Sequence, residues 1–282
     1  MLSEPIFVGG HSRTGTTLMQ GLICNQPLTI SVTREASYFR ALIEAYDLGL
    51  RWFDLHTCDY FESRQELTNF HRSLIQPYLD RVLSRFGNRD DAIIVQKEPR
   101  MTEYFPEVGT LLPRSKFVVL IRDLRDVIAS QIIRCNKNGI AYQPDQDLDR
   151  YIRTLRRLTL DPEKLEGRLL FVRYEGLVNS PTQVMSRVWH FLEMDDLHVD
   201  NQTQWTTKRP RGDESATELD EQPPSSDPIG KNRHVLSREI LATVERVRKF
   251  LLTHTRLDCY CSETATDQTQ SVFFTKDIVR PG

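Results

Sequence analysis

Residues 6–26 restrict the possible fold more than any other part of the chain, because their pattern changes from strand to loop to helix. The apolar run IFV at residues 6–8 is typical of a buried strand and is followed by a glycine pair. From Thr16 onward, apolar residues recur at helical spacing. A strand, a glycine-bounded loop and a helix in this order direct backbone N–H groups and a helix N-terminus at a phosphate. The segment therefore predicts a phosphate-binding loop directly after the first strand.

The glycine spacing in residues 10–17 nearly fits the P-loop pattern G-x-x-x-x-G-K-[ST], with Thr16 in place of the lysine. In nucleotide hydrolases that lysine reaches the β- and γ-phosphates, and the next hydroxyl binds magnesium. A loop without the lysine can hold one terminal phosphate through its N–H groups, its threonine hydroxyls and the guanidinium of Arg13. The alternative interpretation is an ordinary glycine turn beside a solvated arginine.

Length and composition limit the class of protein. A chain of 282 residues can form one large α/β domain or two small ones, and we predict a single domain over residues 1–282. A formal charge of −2 gives no electrostatic reason to expect nucleic acid or an anionic membrane as a partner. The first residues lack the basic start of a signal peptide, and no apolar run approaches the ~20 residues of a membrane span. The five scattered cysteines fit a reducing compartment, so we expect a cytoplasmic protein.

The remaining pattern alternates strands with helices, which predicts a mostly parallel sheet flanked by helices on both faces. Further strands are predicted at 92–95, 116–121 and 168–174, and the run KFVVLI at 116–121 is the strongest of them. Helical patterns cover residues 38–85, 99–112, 126–138, 146–160, 181–194 and 236–254. Residues 202–228 are polar and rich in proline, as in a long loop or lid, and the polar tail at 262–282 has no clear assignment.

A second group of anion-binding residues follows the KFVVLI strand. In open parallel sheets, ligands bind beyond the carboxyl ends of the strands, where Arg122 is expected to lie. Ser130 and Arg134 are four residues apart in the predicted helix and therefore share one of its faces. These three side chains predict a second anion pocket, and two pockets at one sheet edge would suit a cofactor with two separated phosphates. In the alternative interpretation, Arg122 belongs to structural salt bridges within residues 122–126, a role that we assign to Asp123 and Asp126.

Three motifs together resemble the nucleotide-binding signature of sulfotransferases that use 3′-phosphoadenosine 5′-phosphosulfate (PAPS). They are GGHSRTGTTL, VVLIRDLRDVIASQIIR and VRYEGLVNSP, and the resemblance extends over about residues 6–192. The first loop is similar to that of tyrosylprotein sulfotransferases. The segment REASYF at 34–39 resembles one in heparan sulfotransferases whose glutamate is the catalytic base, and KEP at 97–99 resembles a Lys-Asp-Pro of the tyrosylprotein enzymes.

The resemblance implies that the first loop holds the 5′-phosphosulfate of PAPS and that the residues after the KFVVLI strand hold its 3′-phosphate. It also places a tyrosine near the nucleotide and a late loop, GKNR at 230–233, over it; Asn232 stands where that loop commonly carries an aromatic residue. The candidate cofactor-binding residues are Arg13, Thr14, Gly15, Thr16, Thr17, Arg122, Ser130, Arg134, Tyr174, Lys231 and Arg233.

Sulfonyl transfer needs cations for the leaving group, a base for the acceptor proton and an in-line arrangement of both. We expect Arg13 and Lys97 to provide the cations and Glu35 to be the base, with Glu98 and His11 as alternative bases. No metal is required, because no γ-phosphate is split. Glu35 could instead cap the helix that starts beside it.

The acceptor is the least defined part of the prediction. Without a signal peptide or membrane anchor, the first expectation is a soluble small molecule with a hydroxyl or nitrogen nucleophile, and the second is a peptide tyrosine. Two other classes stay open, a P-loop nucleotide kinase and a non-catalytic nucleotide-binding protein on the same fold. We expect a monomer or a homodimer.

Overall fold

A computed structural model describes residues 5–87, 89, 91–160, 162–194, 229–254 and 272–274. The five strands among these residues form one sheet in the order β2-β1-β3-β4-β5. The first four strands run parallel and β5 pairs antiparallel with β4, which confirms the predicted mostly parallel sheet. The strands are β1 (Ile6–Gly10), β2 (Val95–Lys97), β3 (Lys116–Ile121), β4 (Leu169–Arg173) and β5 (Val272–Phe274).

Helices connect the strands and cover both faces of the sheet. They are α1 (Thr16–Cys24), α2 (Ser37–Arg51), α3 (Arg64–Phe86), α4 (Phe105–Leu111), α5 (Leu124–Lys137), α6 (Pro144–Leu160), α7 (Tyr174–Asn179), α8 (Pro181–Leu192) and α9 (Arg238–His254). No helix within the described ranges has the length and hydropathy needed to cross a membrane.

Because side chains alternate along a strand, the sheet separates two hydrophobic cores. On one face, Phe7 stacks between Phe39 of α2 and Phe117 of β3, at centroid distances of 5.4 and 5.6 Å. On the other face, Val8 packs in a cluster that includes Leu22 of α1 and Met185 of α8. Burial of β1 on both faces explains its continuous apolar run and fixes the position of the loop that follows it.

Several predicted boundaries are wrong. β2 begins three residues later than expected, because Ile93 forms only an isolated bridge with Thr29 and regular pairing with β1 starts at Val95. Residues 99–112 form a 3₁₀-helix over Pro99–Tyr104 before α4, and residues 52–63 interrupt the helical region predicted at 38–85. Part of the unassigned tail forms β5. The predicted lid at 202–228 lies outside the described residues.

Candidate active site

The loop between β1 and α1 is closed by bonds within its own backbone and side chains. Gly10 has φ 126°, and a Cβ on it would lie 2.4 Å from the carbonyl oxygen of Leu120 in β3, so this position requires glycine. Thr14 donates from its N–H and its Oγ1 to the carbonyl of His11, at 3.2 and 2.7 Å. Thr14 is fully buried and its hydroxyl stabilises the loop, so its role as a cofactor ligand stays a prediction.

Gly15 and Tyr174 form the inner wall of the loop. Gly15 has φ 99°, and a Cβ on it would lie 2.5 Å from the Tyr174 ring. The other neighbour of that ring is Arg122, whose Cζ lies 4.2 Å from the ring centroid in a cation–π contact. After Gly15 the chain enters α1 with Thr16 buried and Thr17 exposed at the helix N-terminus. The loop, Tyr174 and Arg122 therefore lie side by side.

The two predicted anion pockets meet at three arginines, Arg13, Arg122 and Arg134, which we call the arginine cluster. Arg13 donates from Nε to Ser130 Oγ at 2.9 Å, and Arg122 donates from Nη1 to the carbonyl of Arg13 at 3.2 Å. Burial lowers the pKa of Arg13, and the positive charges of Arg134 and Arg122 lower it further. Like charges held this close repel one another, and an anion bound among them would relieve that repulsion. The cluster thus fits a ligand with phosphate groups.

A second group of charges lies at the start of α5 and is paired. Arg233 donates from Nε to Asp126 Oδ1 at 2.7 Å and lies 3.2 Å from Asp123 Oδ2, and the N–H of Gly230 donates to the same Asp126 carboxylate. The hydrogen bond with Asp126 raises the pKa of Arg233. Asp123 also pairs with Arg125 at 2.6 Å. We call these four side chains the anchor cluster, because they attach residues 230–235 to α5.

The anchor cluster changes the interpretation of two predicted cofactor residues. The sequence assigned Arg233 to the nucleotide, whereas the structure engages two of its nitrogens with carboxylates. Lys231 belongs to the same attached segment and its side chain is exposed. The predicted local pairing is observed for Asp123 with Arg125. Asp126 instead pairs with Arg233, a partner outside residues 122–126 that the local pattern did not indicate.

Glu35 and Lys97 form an ion pair at the carboxyl end of β2, with Lys97 Nζ 3.0 Å from Glu35 Oε1. The N–H of Ala36 donates to the carbonyl of Lys97 at 3.0 Å, which fixes the segment before α2 against the strand. The Lys97 side chain is 9% exposed and that of Glu35 is 52% exposed, more open than the sequence-based expectation of a partly buried base. The residue at the N-cap of α2 is Ala36, which makes no side-chain capping bond, and the carboxylate of Glu35 is paired with Lys97.

Glu98 and His11, the alternative bases, both have their polar atoms engaged. Glu98 is 2% exposed and accepts hydrogen bonds from Ser37 Oγ at 2.8 Å and from the N–H of Arg100 at 3.1 Å. The His11 ring places Nδ1 3.0 Å from the carbonyl of Ser12 and Nε2 3.2 Å from Asp147 Oδ1. Because oxygen acceptors face both ring nitrogens, His11 is poorly arranged to take a proton from an acceptor.

Asp147 is the site-adjacent residue that sequence reasoning missed. It lies on α6, far from His11 along the chain, and no local motif marks it. Burial raises the pKa of this carboxyl, but hydrogen bonds from His11 and Tyr142 and the charges of His11 and Arg150 lower it overall. Only the folded structure brings Asp147 to the phosphate loop.

The carboxyl ends of three neighbouring strands, β2, β1 and β3, therefore lie side by side at one edge of the sheet. β2 ends at Lys97, β1 leads into the phosphate loop, and β3 leads into Arg122, because the register pairs Val8 with Lys97 and Gly10 with Leu120. Cations from all three strand ends, and one half-exposed carboxylate, occupy the edge at which parallel sheets bind ligands.

Comparison with known proteins agrees with this geometry. A family model described as the Sulfotransferase family matches residues 5–198. A Caenorhabditis briggsae protein, provisionally named protein-tyrosine sulfotransferase, is 25% identical over 193 residues, which are 67% of this chain and 65% of that protein. A Caenorhabditis elegans protein with the same provisional name is 29% identical over 105 residues, 36% of this chain and 40% of that protein. The chain thus spans less than two-thirds of the length of these relatives.

Two solved sulfotransferases share the fold. The sulfotransferase domain of the Synechococcus PCC 7002 olefin synthase superposes with a TM-score of 0.55 at 15% identity, covering 88% of this chain and 94% of that domain. A mouse sulfotransferase complexed with PAP, the desulfonated nucleotide, gives a TM-score of 0.54 at 10% identity and covers 91% and 87%. Since the family model matches more than half of the sequence and solved members have the same architecture, the chain belongs to the sulfotransferase family.

Proposed function

We propose that this protein transfers the sulfonate group of PAPS to a hydroxyl or nitrogen of an acceptor and releases PAP. The observation that carries the proposal is the contact of Arg13 with both Ser130 and Arg122, which joins the phosphate loop to the second anion-binding motif. A nucleotide with phosphates at its two ends needs such a pair of adjoining sites. Residues 1–282 would then act as one domain.

Each end of the nucleotide has candidate ligands. The N–H groups of the loop, Arg13 and the exposed Thr17 would hold the 5′-phosphosulfate, at the positive end of the α1 dipole. Arg122, Ser130 and Arg134 would hold the 3′-phosphate, and the Tyr174 ring, packed against Gly15, would line the site between them.

The reaction makes modest demands on the protein. PAPS supplies an activated sulfonate whose sulfur–oxygen bond to the phosphate breaks as the acceptor oxygen or nitrogen bonds to sulfur. Glu35 takes the acceptor proton, and its half-exposed carboxylate leaves room for an acceptor to approach. Lys97, nearly buried beside it, and Arg13 stabilise the negative charge that moves onto the phosphate oxygen. In this proposal no metal ion takes part.

The acceptor we propose is a soluble small molecule, and the protein would act in the cytoplasm as a monomer or homodimer. A peptide tyrosine is the second candidate, and it corresponds to the provisional names of the two Caenorhabditis relatives. Release of PAP would be measured with two matched panels, phenolic and alcoholic metabolites in one and tyrosine peptides in the other. Turnover with peptides alone would reject the small-molecule acceptor, and turnover with neither would support a binding protein instead.

Nucleotide choice tests the function before any acceptor is known. We expect PAP and PAPS to raise the melting temperature of the protein, whereas ATP with magnesium does not. The Thr16 position supports this expectation, because the lysine that grips a γ-phosphate in kinases is missing there. Stabilisation by ATP–magnesium without stabilisation by PAP would instead favour the kinase alternative.

A further inference from the structure

Asp147 is connected to the phosphate loop through a chain of contacts that the proposed chemistry does not use. Its Oδ1 lies 3.2 Å from His11 Nε2, and its Oδ2 accepts a hydrogen bond from the Tyr142 hydroxyl at 3.0 Å. The Asp147 side chain is 9% exposed and that of His11 is 5% exposed, so water competes little with these contacts. Among the described residues, Arg150 also faces this carboxylate, with its Nη1 3.5 Å from Oδ1.

His11 connects Asp147 to the backbone of the phosphate loop. Its carbonyl accepts both hydrogen bonds from Thr14, and its Nδ1 lies 3.0 Å from the carbonyl oxygen of Ser12. Rotation of the His11 side chain would therefore disturb the turn that carries Arg13 and presents the N–H groups. The ring is thus one of the points at which the rest of the molecule contacts the loop, beside Arg122 at the Arg13 carbonyl and Tyr174 at Gly15.

Helix α6 is a rigid support for this contact. Asp147 and Tyr151 are four residues apart and share a face, and the Tyr151 ring meets His11 edge-on at a centroid distance of 5.4 Å. Leu148, Leu155 and Leu158 bury the adjoining face of α6 in the core. A group fixed by packing and hydrogen bonds can hold a partner to within a fraction of an ångström, which binding of an anion by loop N–H groups requires.

We propose that Asp147, supported by Tyr142, is a positioning residue that holds the phosphate loop in its nucleotide-binding shape through His11. The inference rests on the proposed function for its consequence, because a displaced loop would weaken PAP binding. Its structural content, that Asp147 orders residues 11–17, does not depend on which nucleotide binds.

Four variants test the proposal. Asp147→Ala removes both contacts, Asp147→Asn keeps an oxygen that can accept from His11, and Tyr142→Phe removes only the supporting hydroxyl. Asp145→Asn is the matched control, since Asp145 is an exposed carboxylate in the same first turn of α6. Amide hydrogen exchange over residues 11–17 is measured without nucleotide, and the dissociation constant for PAP is measured by calorimetry on the folded protein.

We expect Asp147→Ala to weaken PAP binding about tenfold, as loss of one hydrogen bond to a charged group does, and to speed exchange in the loop. Asp147→Asn should lie between this variant and the control, and Tyr142→Phe should change the dissociation constant two- to threefold, roughly the effect of one neutral hydrogen bond. In turnover, KM for PAPS should rise, and kcat should fall much less than in Glu35→Gln, because Glu35 and Lys97 are untouched.

Three outcomes separate this proposal from its rivals. If Asp147→Ala lowers only the melting temperature, with loop exchange and PAP affinity equal to those of Asp145→Asn, the role is purely structural and the proposal is wrong. If Asp147→Ala does not fold, the loop exchange and PAP affinity of Asp147→Asn and Tyr142→Phe are compared with those of Asp145→Asn, and values equal to the control again contradict the proposal. If the unmodified protein fails to bind PAP, the proposed function fails, while faster loop exchange in Asp147→Ala than in Asp145→Asn would still support the positioning role.

Discussion

Two groups of arginines lie beyond the end of β3, and their surroundings differ. In the arginine cluster, the strongest electrostatic neighbours of Arg13 are two other cations. In the anchor cluster, Arg233 faces two carboxylates. Each group combines residues from 122–134, which follow β3, with one arginine from elsewhere in the chain, Arg13 in the first group and Arg233 in the second. The carboxylates beside Arg233 make it a structural connection, whereas the neighbouring cations of Arg13 are the basis for the anion site that we propose.

The largest expected effect is on turnover, and it separates the chemistry of sulfonate transfer from the binding of the nucleotide by the arginine cluster. Glu35→Gln should lower turnover by about 10²–10⁴-fold, the usual contribution of a general base, and should leave the PAP dissociation constant nearly unchanged. Steady-state kinetics and calorimetry measure the two quantities. Glu44→Gln, which alters a carboxylate paired with Arg40 further along α2, is the control. Near-normal turnover in Glu35→Gln would assign the proton to another group.

The second prediction compares the clusters directly. Arg122→Ala should raise the PAP dissociation constant about 100-fold, because the charge-assisted hydrogen bonds that we propose between Arg122 and the 3′-phosphate would be lost. Arg125→Ala, three residues further on, should change it less than about threefold, since Arg125 pairs with Asp123. Calorimetry at fixed ionic strength provides both values. Equal losses in the two variants would remove the distinction between the clusters.

The anchor cluster should instead contribute to stability. Arg233→Ala leaves Asp126, whose side chain is 2% exposed, without its main cationic partner. We expect a fall of about 2 kcal/mol in the free energy of unfolding, less than for a fully buried pair because the guanidinium is partly exposed. Urea denaturation measures the change. Arg238→Ala, which alters an exposed arginine at the start of α9, should stay within about 0.5 kcal/mol of the unmodified protein, and a similar fall there would contradict the anchoring role.

The smallest effect concerns acid pH. Burial raises the pKa of Asp123, but the hydrogen bond and charge of Arg125 and the charge of Arg233 lower it overall below its ordinary value of 3.8. A carboxyl with a lowered folded-state pKa stabilises the protein above its unfolded-state pKa, and this stabilisation is lost as the pH falls through the folded-state value. The difference in unfolding free energy between the unmodified protein and Asp123→Asn should be constant near neutrality and shrink below about pH 4. If this difference in unfolding free energy instead grew as the pH fell, the pKa of Asp123 would be raised on folding and not lowered.

Sequence patterns predicted the parts of the fold that local chemistry determines. The phosphate loop, the strand at 116–121 and the pairing of Asp123 follow from glycine spacing, an apolar run and neighbouring opposite charges. Boundaries near proline were less predictable: Pro99 and Pro106 lack an N–H donor, so residues 99–111 split into a 3₁₀-helix and α4. The arginine, glutamate and lysine roles at the site stay predictions, although the structure brings these residues to one sheet edge.

Long-range contacts were beyond the reach of sequence patterns. The partner of Asp126 is Arg233, and the partner of His11 is Asp147, both far away along the chain. Each contact depends on how helices pack across the sheet, which periodicity does not encode. Strand β5 was missed for a similar reason, because its three residues VFF gain a strand partner only from the edge of β4.

Arg13 holds its backbone at φ 72°, a left-handed conformation that costs a residue with a Cβ about 1–2 kcal/mol. Glycine would adopt this angle without that cost, so Arg13→Gly should remove the backbone strain in the turn and stabilise the folded state. The same exchange would remove the guanidinium that reaches Ser130. Stability of the fold and the nucleotide contact that we propose therefore favour different residues at position 13, where the chain has the conformationally unfavourable arginine.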